Sequence, residues 1–369
     1  MTAAAKSYFW YHLRSKWKLL LLVSLLSFIL TAVSAMDQKY EITHYDVNRN
    51  IIAVEVAYDS MLDPSFWIFV VCGYLFPITE FSSFLKRRNI DCLYALPVTR
   101  REIGIVHYTT GILYMIIPYT ISYLTNFFLL LRYPGAFDYS PMLAYYLLSL
   151  LVGICAYSVN VFAFNQANSV IDGILFMAAG SCLLWLISFV NEEYVSMYNT
   201  VRWDAAEYHK MINRWLNIEI TWMGNPWGTL FGIRYVYSHV IEKNRYIMLS
   251  DFWLEGQTVI WFALWIVLGT ASGIGFIFNF DKRKVEKIGE DSDSWFGYKV
   301  LIPVYAVVLQ IISDLLGIMF TLIFAFLAFV LFRKGFRLKK SDWITLGCLL
   351  VTGIILSILF VQLTGQYIW

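Results

Sequence analysis

The sequence predicts an all-α polytopic membrane protein, and three observations carry that prediction. Of 369 residues, 59% are hydrophobic and only 15% charged, and the mean hydropathy is +0.61, values that a soluble globule of this size does not normally reach. Apolar stretches of the roughly 20 residues needed for one helical crossing recur from end to end. The cations, finally, concentrate in alternate connections between those stretches, as they do when one side of a membrane retains Lys and Arg.

Each element follows in chain order. Residues 5–18, AKSYFWYHLRSKWK, set Tyr8, Phe9, Trp10 and Tyr11 beside Arg14, Lys16 and Lys18. That mixture suits either a helix lying in the headgroup layer or a plain aromatic and basic flank to the first span. The first span is Lys18 to Met36. Its end, Ala-Val-Ser-Ala, also fits a signal-peptide cleavage site, but a chain with this many further spans needs no cleaved leader, so the span is expected to be retained. In the loop Asp37 to Pro64, alternation over residues 51–57 (IIAVEVA) suggests a short hairpin. The second span is Phe66 to Phe84 and the third Ile103 to Leu131, where Pro118 predicts a kink. Only Asn165 to Asn168 joins the fourth span, Met142 to Phe164, to the fifth, Ser169 to Val190, which forces an antiparallel hairpin.

Residues 191–257 are rich in Trp and Tyr (Trp203, Tyr208, Trp215, Trp222, Trp227, Tyr235, Tyr237) and poor in aliphatic material. They are expected to lie against the outer membrane surface. The sixth span is Thr258 to Phe280. The apolar run 301–332 is too long for one crossing and has basic clusters on both flanks. Two short crossings turning at Ser313-Asp314 satisfy those flanks, and a partly re-entrant hairpin is the alternative. Ile344 to Leu363 completes nine crossings, with Tyr367 and Trp369 in the outer aromatic belt.

If the first helix runs outward, nineteen of the 28 Lys and Arg fall in the inner segments, while fifteen of the 26 Asp and Glu fall in the outer ones. The N-terminus of this cell-membrane protein therefore faces the cytoplasm. The chain has no GxxxxGK[ST], HExxH or GxSxG pattern, and its histidines (12, 43, 107, 209, 239) are scattered, so neither nucleotide binding nor catalysis by this chain is expected, and no metal site. Cysteines 72, 92, 155, 182 and 348 lack CxxC or paired spacing, which leaves no disulfide framework. With no basic tract away from the membrane flanks and no nucleic-acid motif, nucleic-acid binding is not expected.

The most informative stretch is the basic island between the second and third spans, FLKRRNIDCLYALPVTRREIGIVHY. Lys86, Arg87, Arg88, Arg100 and Arg101 place it in the cytoplasm. Asn89 or Asp91 can cap a helical turn through Tyr94 and Leu96, and Pro97 breaks that turn. Thr99-Arg100-Arg101-Glu102 then spells a capping box that opens the next helix. Such a stiff element can be gripped from the cytoplasm, whereas the bland alternative is that its arginines fix orientation and bind anionic lipid.

A few polar residues stand inside the apolar runs. Glu80 lies six residues before Lys86, roughly 9 Å up the helix, and an acid at that depth is a functional candidate. It could gate a path by pairing with Arg100 or Arg101, or merely fix the island through a salt bridge. Asp172, three residues after Ser169, suits the start of the fifth span as a helix-capping charge, and is otherwise a path residue. Asn160, with Ser158, fits either a path lining or an interhelical hydrogen bond. Gly269-Thr-Ala-Ser-Gly273 is a small-xxx-small pattern, for close helix packing or a dimer seam.

The basic N-terminal segment, the outward-running first span and a cytoplasmic element ending in Leu-Pro together resemble permeases of the type-2 export class of ATP-binding-cassette transporters. The residues that carry the likeness are Asp91, Leu93 and Ala95-Leu96-Pro97-Val98-Thr99-Arg100-Arg101-Glu102-Ile103. The stretch Phe280 to Glu290, FDKRKVEKIGE, is similar to larger Gram-positive members. The resemblance implies a six-helix exporter core over residues 1–290, with about three additional C-terminal membrane segments over 291–369. Residues 87–102 would be its coupling helix, seated in a cleft of a separate ATPase subunit. The implied contact set is Arg87, Arg88, Asn89, Asp91, Leu93, Tyr94, Leu96, Pro97, Thr99, Arg100, Arg101 and Glu102, with Asn165 and Gln166 as a second contact. It also implies two copies of a cytoplasmic ATP-binding subunit that hold the ATP and Mg, and a second permease, identical or related. This chain itself would need no cofactor. The rival reading is a non-transporting sensor or scaffold that uses the island to recruit a cytoplasmic partner. A membrane-embedded enzyme would need a cluster of ionisable groups at one depth, which Glu80 and Asp172 alone do not make.

Overall fold

A computed structural model describes residues 2–37, 40–45, 51–56, 62–86, 89, 95–131, 142–201, 225–241, 257–282, 289, 297–312, 315–333 and 335–364. Among them are eleven α-helices and one two-stranded hairpin. In chain order these are α1 (Ala3–Ser15), α2 (Trp17–Asp37), β1 (Tyr40–Tyr45), β2 (Ile51–Val56), α3 (Asp63–Phe81), α4 (Arg100–Leu130), α5 (Met142–Asn165), α6 (Val170–Val201), α7 (Pro226–Ile241), α8 (Gln257–Asn279), α9 (Tyr298–Ile312), α10 (Leu315–Phe332) and α11 (Lys340–Thr364). Six helices are long and apolar enough to cross a membrane, and shorter apolar helices cover Val170–Leu183, Tyr298–Ile311 and Gly317–Phe332.

Local chemistry explains several helix ends. Thr2 caps α1, its hydroxyl accepting from the Ala5 amide at 3.3 Å. Lys16 then leaves helical geometry at φ −107°, ψ 12°, so α1 is a separate helix and not an extension of α2. Asp63-Pro64 opens α3 with an acid and a proline where neither disturbs the hydrogen-bond ladder. The hairpin expected in the first loop is present, β1 and β2 pairing antiparallel with Ile42 opposite Val54. α6 continues to Val201, past the expected end at Val190. The turn at Ser313-Asp314, the aromatics Trp203, Tyr208, Trp215 and Trp222, and Tyr367 and Trp369 lie outside the described residues.

The chain forms two compact units, each assembled from two segments. The first comprises Met1–Asn165 and Pro226–Val285. Within it α8 packs along α5 at Gly269, where a Cβ would collide with the Cα and Cβ of Cys155. This is the close-packing role expected of the small-residue pattern. α2 and α4 are joined by Thr31 Oγ1 and Ser122 Oγ, 2.6 Å apart and both buried. An aromatic ladder links α3, α4 and α5: Phe69 stacks on Tyr119 at 4.1 Å, and Tyr119 on Tyr146 at 5.7 Å. Trp227 of α7, expected at the membrane surface, is instead buried against Gly73 of α3, because that glycine leaves room for an indole. Arg234 of the same helix pairs with Asp63 and lies over the Phe231 ring.

α3 contains Pro77, which has no amide to donate to the carbonyl of Gly73 one turn earlier. In a membrane interior that acceptor must find another partner. Asn160 of α5 supplies it, with Nδ2 donating to Gly73 O at 3.0 Å.

The second unit comprises Gln166–Asn225 and Glu286–Trp369. Its core joins α9, α10 and α11 through Ile302, Ala306, Ala325, Phe329, Phe332 and Leu349. Gln310 of α9 donates to the Leu349 carbonyl at 2.9 Å. α9 is tied to α6 by Tyr305 OH, which donates to Ala179 O at 2.6 Å. Arg333 grips Asp342 at the start of α11 through two 3.0 Å hydrogen bonds.

Candidate functional site

The first unit contains a buried polar cluster built from three helices. α1 presents Tyr8 and His12 on one face, and Lys16, its C-cap residue, follows at the same interval of four. α3 contributes Glu80, one residue before its end, and α4 contributes His107, about two turns after Thr99. His12, Glu80 and His107 have relative exposures of 7%, 0% and 2%.

Glu80 is the hub. Its Oε2 takes His12 Nε2 at 2.7 Å and His107 Nδ1 at 3.0 Å, and its Oε1 takes Lys16 Nζ at 2.9 Å. Lys16 also donates to Thr79 O at 3.1 Å. On the far edge of the His107 ring, Nε2 meets Tyr8 OH at 3.0 Å. Burial, followed by the Glu80 charge, pushes the Tyr8 hydroxyl up to about 12, so it keeps its proton. With both imidazoles neutral, every contact is satisfied when each donates to Oε2 and Tyr8 donates to His107 Nε2, while Lys16 pairs with the Glu80 carboxylate. A buried carboxylate is tolerated only when paired and fully hydrogen-bonded, as here.

The cluster is sealed by aromatic rings and backbone contacts. Phe84 stands edge-on to His107 at 4.8 Å, and Phe280 stands edge-on to Phe84 at 5.3 Å. Tyr114 of α4 donates to Leu13 O at 3.0 Å, a second tie between α4 and α1. Gly111 leaves the space into which the Tyr157 hydroxyl and the Glu80 side chain both reach. That hydroxyl is fully buried and has no hydrogen-bond partner among the described residues.

The exit of the basic island is anchored to the same assembly. Thr99 caps α4 at φ −66°, ψ 149°, accepting from Glu102 N at 3.3 Å and donating to Glu102 Oε2 at 3.2 Å, so the expected capping box is present. The other Glu102 oxygen receives the Thr2 amide at 2.7 Å, which ties the start of α1 to the start of α4. Before the cap, the chain turns at Pro97, with Val98 N on Leu96 O at 2.8 Å. Asn89, Pro97, Thr99, Arg100 and Arg101 are exposed and Leu96 is half-buried. Arg101 lies 4.8 Å over the Phe278 ring. Arg87, Arg88, Asp91, Leu93 and Tyr94, with the helical turn expected there, fall outside the described residues.

Sequence reasoning singled out Glu80 but not its partners. In place of Arg100 or Arg101, the carboxylate is held by α1 and by His107, side chains 68, 64 and 27 positions away. The detectable signal was the Tyr8, His12, Lys16 periodicity beside an acid within a span. Asn160 serves the Gly73 carbonyl and is an interhelical bond. At the start of α6, Ser169 Oγ accepts from Asp172 N at 3.2 Å, and the Asp172 carboxylate receives Tyr298 OH at 2.6 Å. Asn165 ends α5 buried, and Gln166 in the following turn is half-buried.

Residues 5–178 match the family model described as ABC-2 family transporter protein. No curated protein and no solved structure matches the chain. The matched stretch runs from α1 into α6 and so contains the Glu80 cluster, the island and its capped exit, set among helices long enough to span a bilayer. Residues 5–178, then, have the sequence of ABC-2 family transporter membrane proteins, on helices that include ones long and apolar enough to cross a membrane.

Proposed function

We propose that the chain is the membrane subunit of an ATP-driven exporter, with ATP and Mg bound by two copies of a separate cytoplasmic subunit and a second permease, identical or related, completing the path. The observation that carries the reading is the double anchoring of the island's exit. An ATPase that closes by a few ångströms moves a membrane helix only if the element it pushes is stiff. Here the turn at Leu96-Pro97, half-buried at Leu96 and exposed at Pro97, runs into a capped helix, and Glu102 of that cap bonds both Thr99 and Thr2. The Glu80 cluster lies about one and a half turns further on and joins α1, α3 and α4. A push at residues 87–102 would thus be delivered to three helices together. The distribution of Lys and Arg supports an inward-facing island and N-terminus.

Glu80 acts in this reading as the inner knot of the moving body, and Asn165 with Gln166 as the second cytoplasmic contact. The aromatic interior suits an amphipathic peptide, a lipid-linked molecule or a hydrophobic drug. Replacing Leu96 and Arg100 with Asp tests the interface. The ATPase subunit is expected to stop co-purifying, and unchanged association refutes the contact. In reconstituted vesicles, the assembled complex should hydrolyse ATP faster when its substrate is added.

A further inference from the structure

We propose that His12, Glu80 and His107 form a binding site for a divalent transition-metal cation of the Zn²⁺ type, a staple between α1, α3 and α4. Two imidazole nitrogens and a carboxylate are an established zinc ligand set. The three ligand atoms lie within 4.8 Å of one another, on residues that are all buried. Both nitrogens converge on a single oxygen, Oε2, at 2.7 and 3.0 Å. One cation bound through Oε2 would therefore reach all three side chains with small movements.

The surroundings suit an ion as well as the ligands do. Histidine ligands normally use their second nitrogen to bond an outer partner that fixes the ring. His107 has that partner in Tyr8, 3.0 Å from Nε2. With a metal on Nδ1, the His107 proton moves to Nε2 and donates to the Tyr8 oxygen, so the hydrogen bond reverses direction but is kept. His12 shifts its proton from Nε2 to Nδ1 in the same way, and no proton need leave the cluster. Lys16 bonds the other oxygen, Oε1, which leaves Oε2 for the ion, and its side chain is 26% exposed, so water screens its repulsion. The Tyr157 hydroxyl, opposite Gly111 and without a hydrogen-bond partner among the described residues, supplies a further buried oxygen near the Glu80 side chain.

This inference does not rest on the transport reading. It is tested on the full chain, purified with a tag free of histidine and held in lipid nanodiscs. Zn²⁺ is titrated against a chromogenic chelator, and bound metal is counted by mass spectrometry. One Zn²⁺ per chain is expected. Y8F should weaken binding about 10- to 100-fold, as loss of an outer partner does. H12Q keeps an N–H donor for Glu80 but offers zinc a poor ligand, so it should remain folded and lose saturable binding. H12C gives a readout independent of loss: X-ray absorption should show one sulfur entering the zinc shell at about 2.3 Å. Absence of stoichiometric Zn²⁺ on the wild type overturns the proposal. So does unchanged affinity in folded H12Q, or a zinc shell without sulfur in H12C.

Discussion

The pairing of Asn160 with the Gly73 carbonyl predicts a measurable thermodynamic coupling between Asn160 and Pro77, although the claim involves no direct contact between them. Pro77 removes the amide that would serve Gly73 O within α3, and Asn160 Nδ2 serves it from α5 at 3.0 Å. Asn160 is 0% exposed, and Gly73 and Pro77 are buried, so water cannot substitute. Leaving a buried acceptor unpaired costs about 1–3 kcal/mol, and interhelical hydrogen bonds in membranes average about 0.6 and reach about 1.7 kcal/mol. Asn160→Leu, close to isosteric, should therefore destabilise by about 1–2 kcal/mol. In a Pro77→Ala background the new amide can donate to Gly73 O, and the same substitution should cost about 1 kcal/mol less. The assay is a double-mutant cycle on reversible unfolding in mixed micelles, followed by circular dichroism. Equal cost of Asn160→Leu in both backgrounds would refute the reasoning.

Four further outcomes follow from particular contacts. Thr99→Ala removes the cap of α4 and should lower stability by about 1 kcal/mol; in the assembled complex it should also reduce substrate-stimulated ATP hydrolysis. Gly269→Leu forces a side chain into Cys155 and should cost about 1–3 kcal/mol or abolish folding, read from the thermal midpoint, whereas Gly347→Leu, with nothing within 4 Å among the described residues, should be silent. Arg333→Ala leaves the Asp342 carboxylate with only the Lys339 amide and the Ser341 hydroxyl and should cost about 1–3 kcal/mol. Leu96→Cys in a cysteine-free chain should react with an impermeant maleimide in inverted vesicles and not in intact cells, and the opposite pattern would reverse the assigned orientation.

The elements most legible in the sequence were those whose cause is local. Thr99 and Glu102 are three residues apart, and their capping box needs nothing but each other and one turn of backbone. The apolar runs were legible for the same reason, since length and hydropathy decide a crossing residue by residue. Gly269 was readable as a packing position, though not as one facing Cys155. The Glu80 hub was only half readable: the acid stood out within its span, but its three cationic and imidazole partners come from distant helices. His107 looked like a stray histidine until α1 was placed beside it. Trp227 misled because a tryptophan outside an apolar run reads as an interface anchor, while the decisive feature, the missing side chain of Gly73, lies 154 positions earlier.

By itself the sequence determined that this chain must live in a bilayer, how its apolar segments divide, and where its capped turn begins, because burial in lipid and helix capping act over one to twenty residues. Only the tertiary structure decided which buried polar groups satisfy one another. Those pairings depend on helix packing and register, which no local pattern encodes, and a low-dielectric interior makes each of them costly to leave unmade.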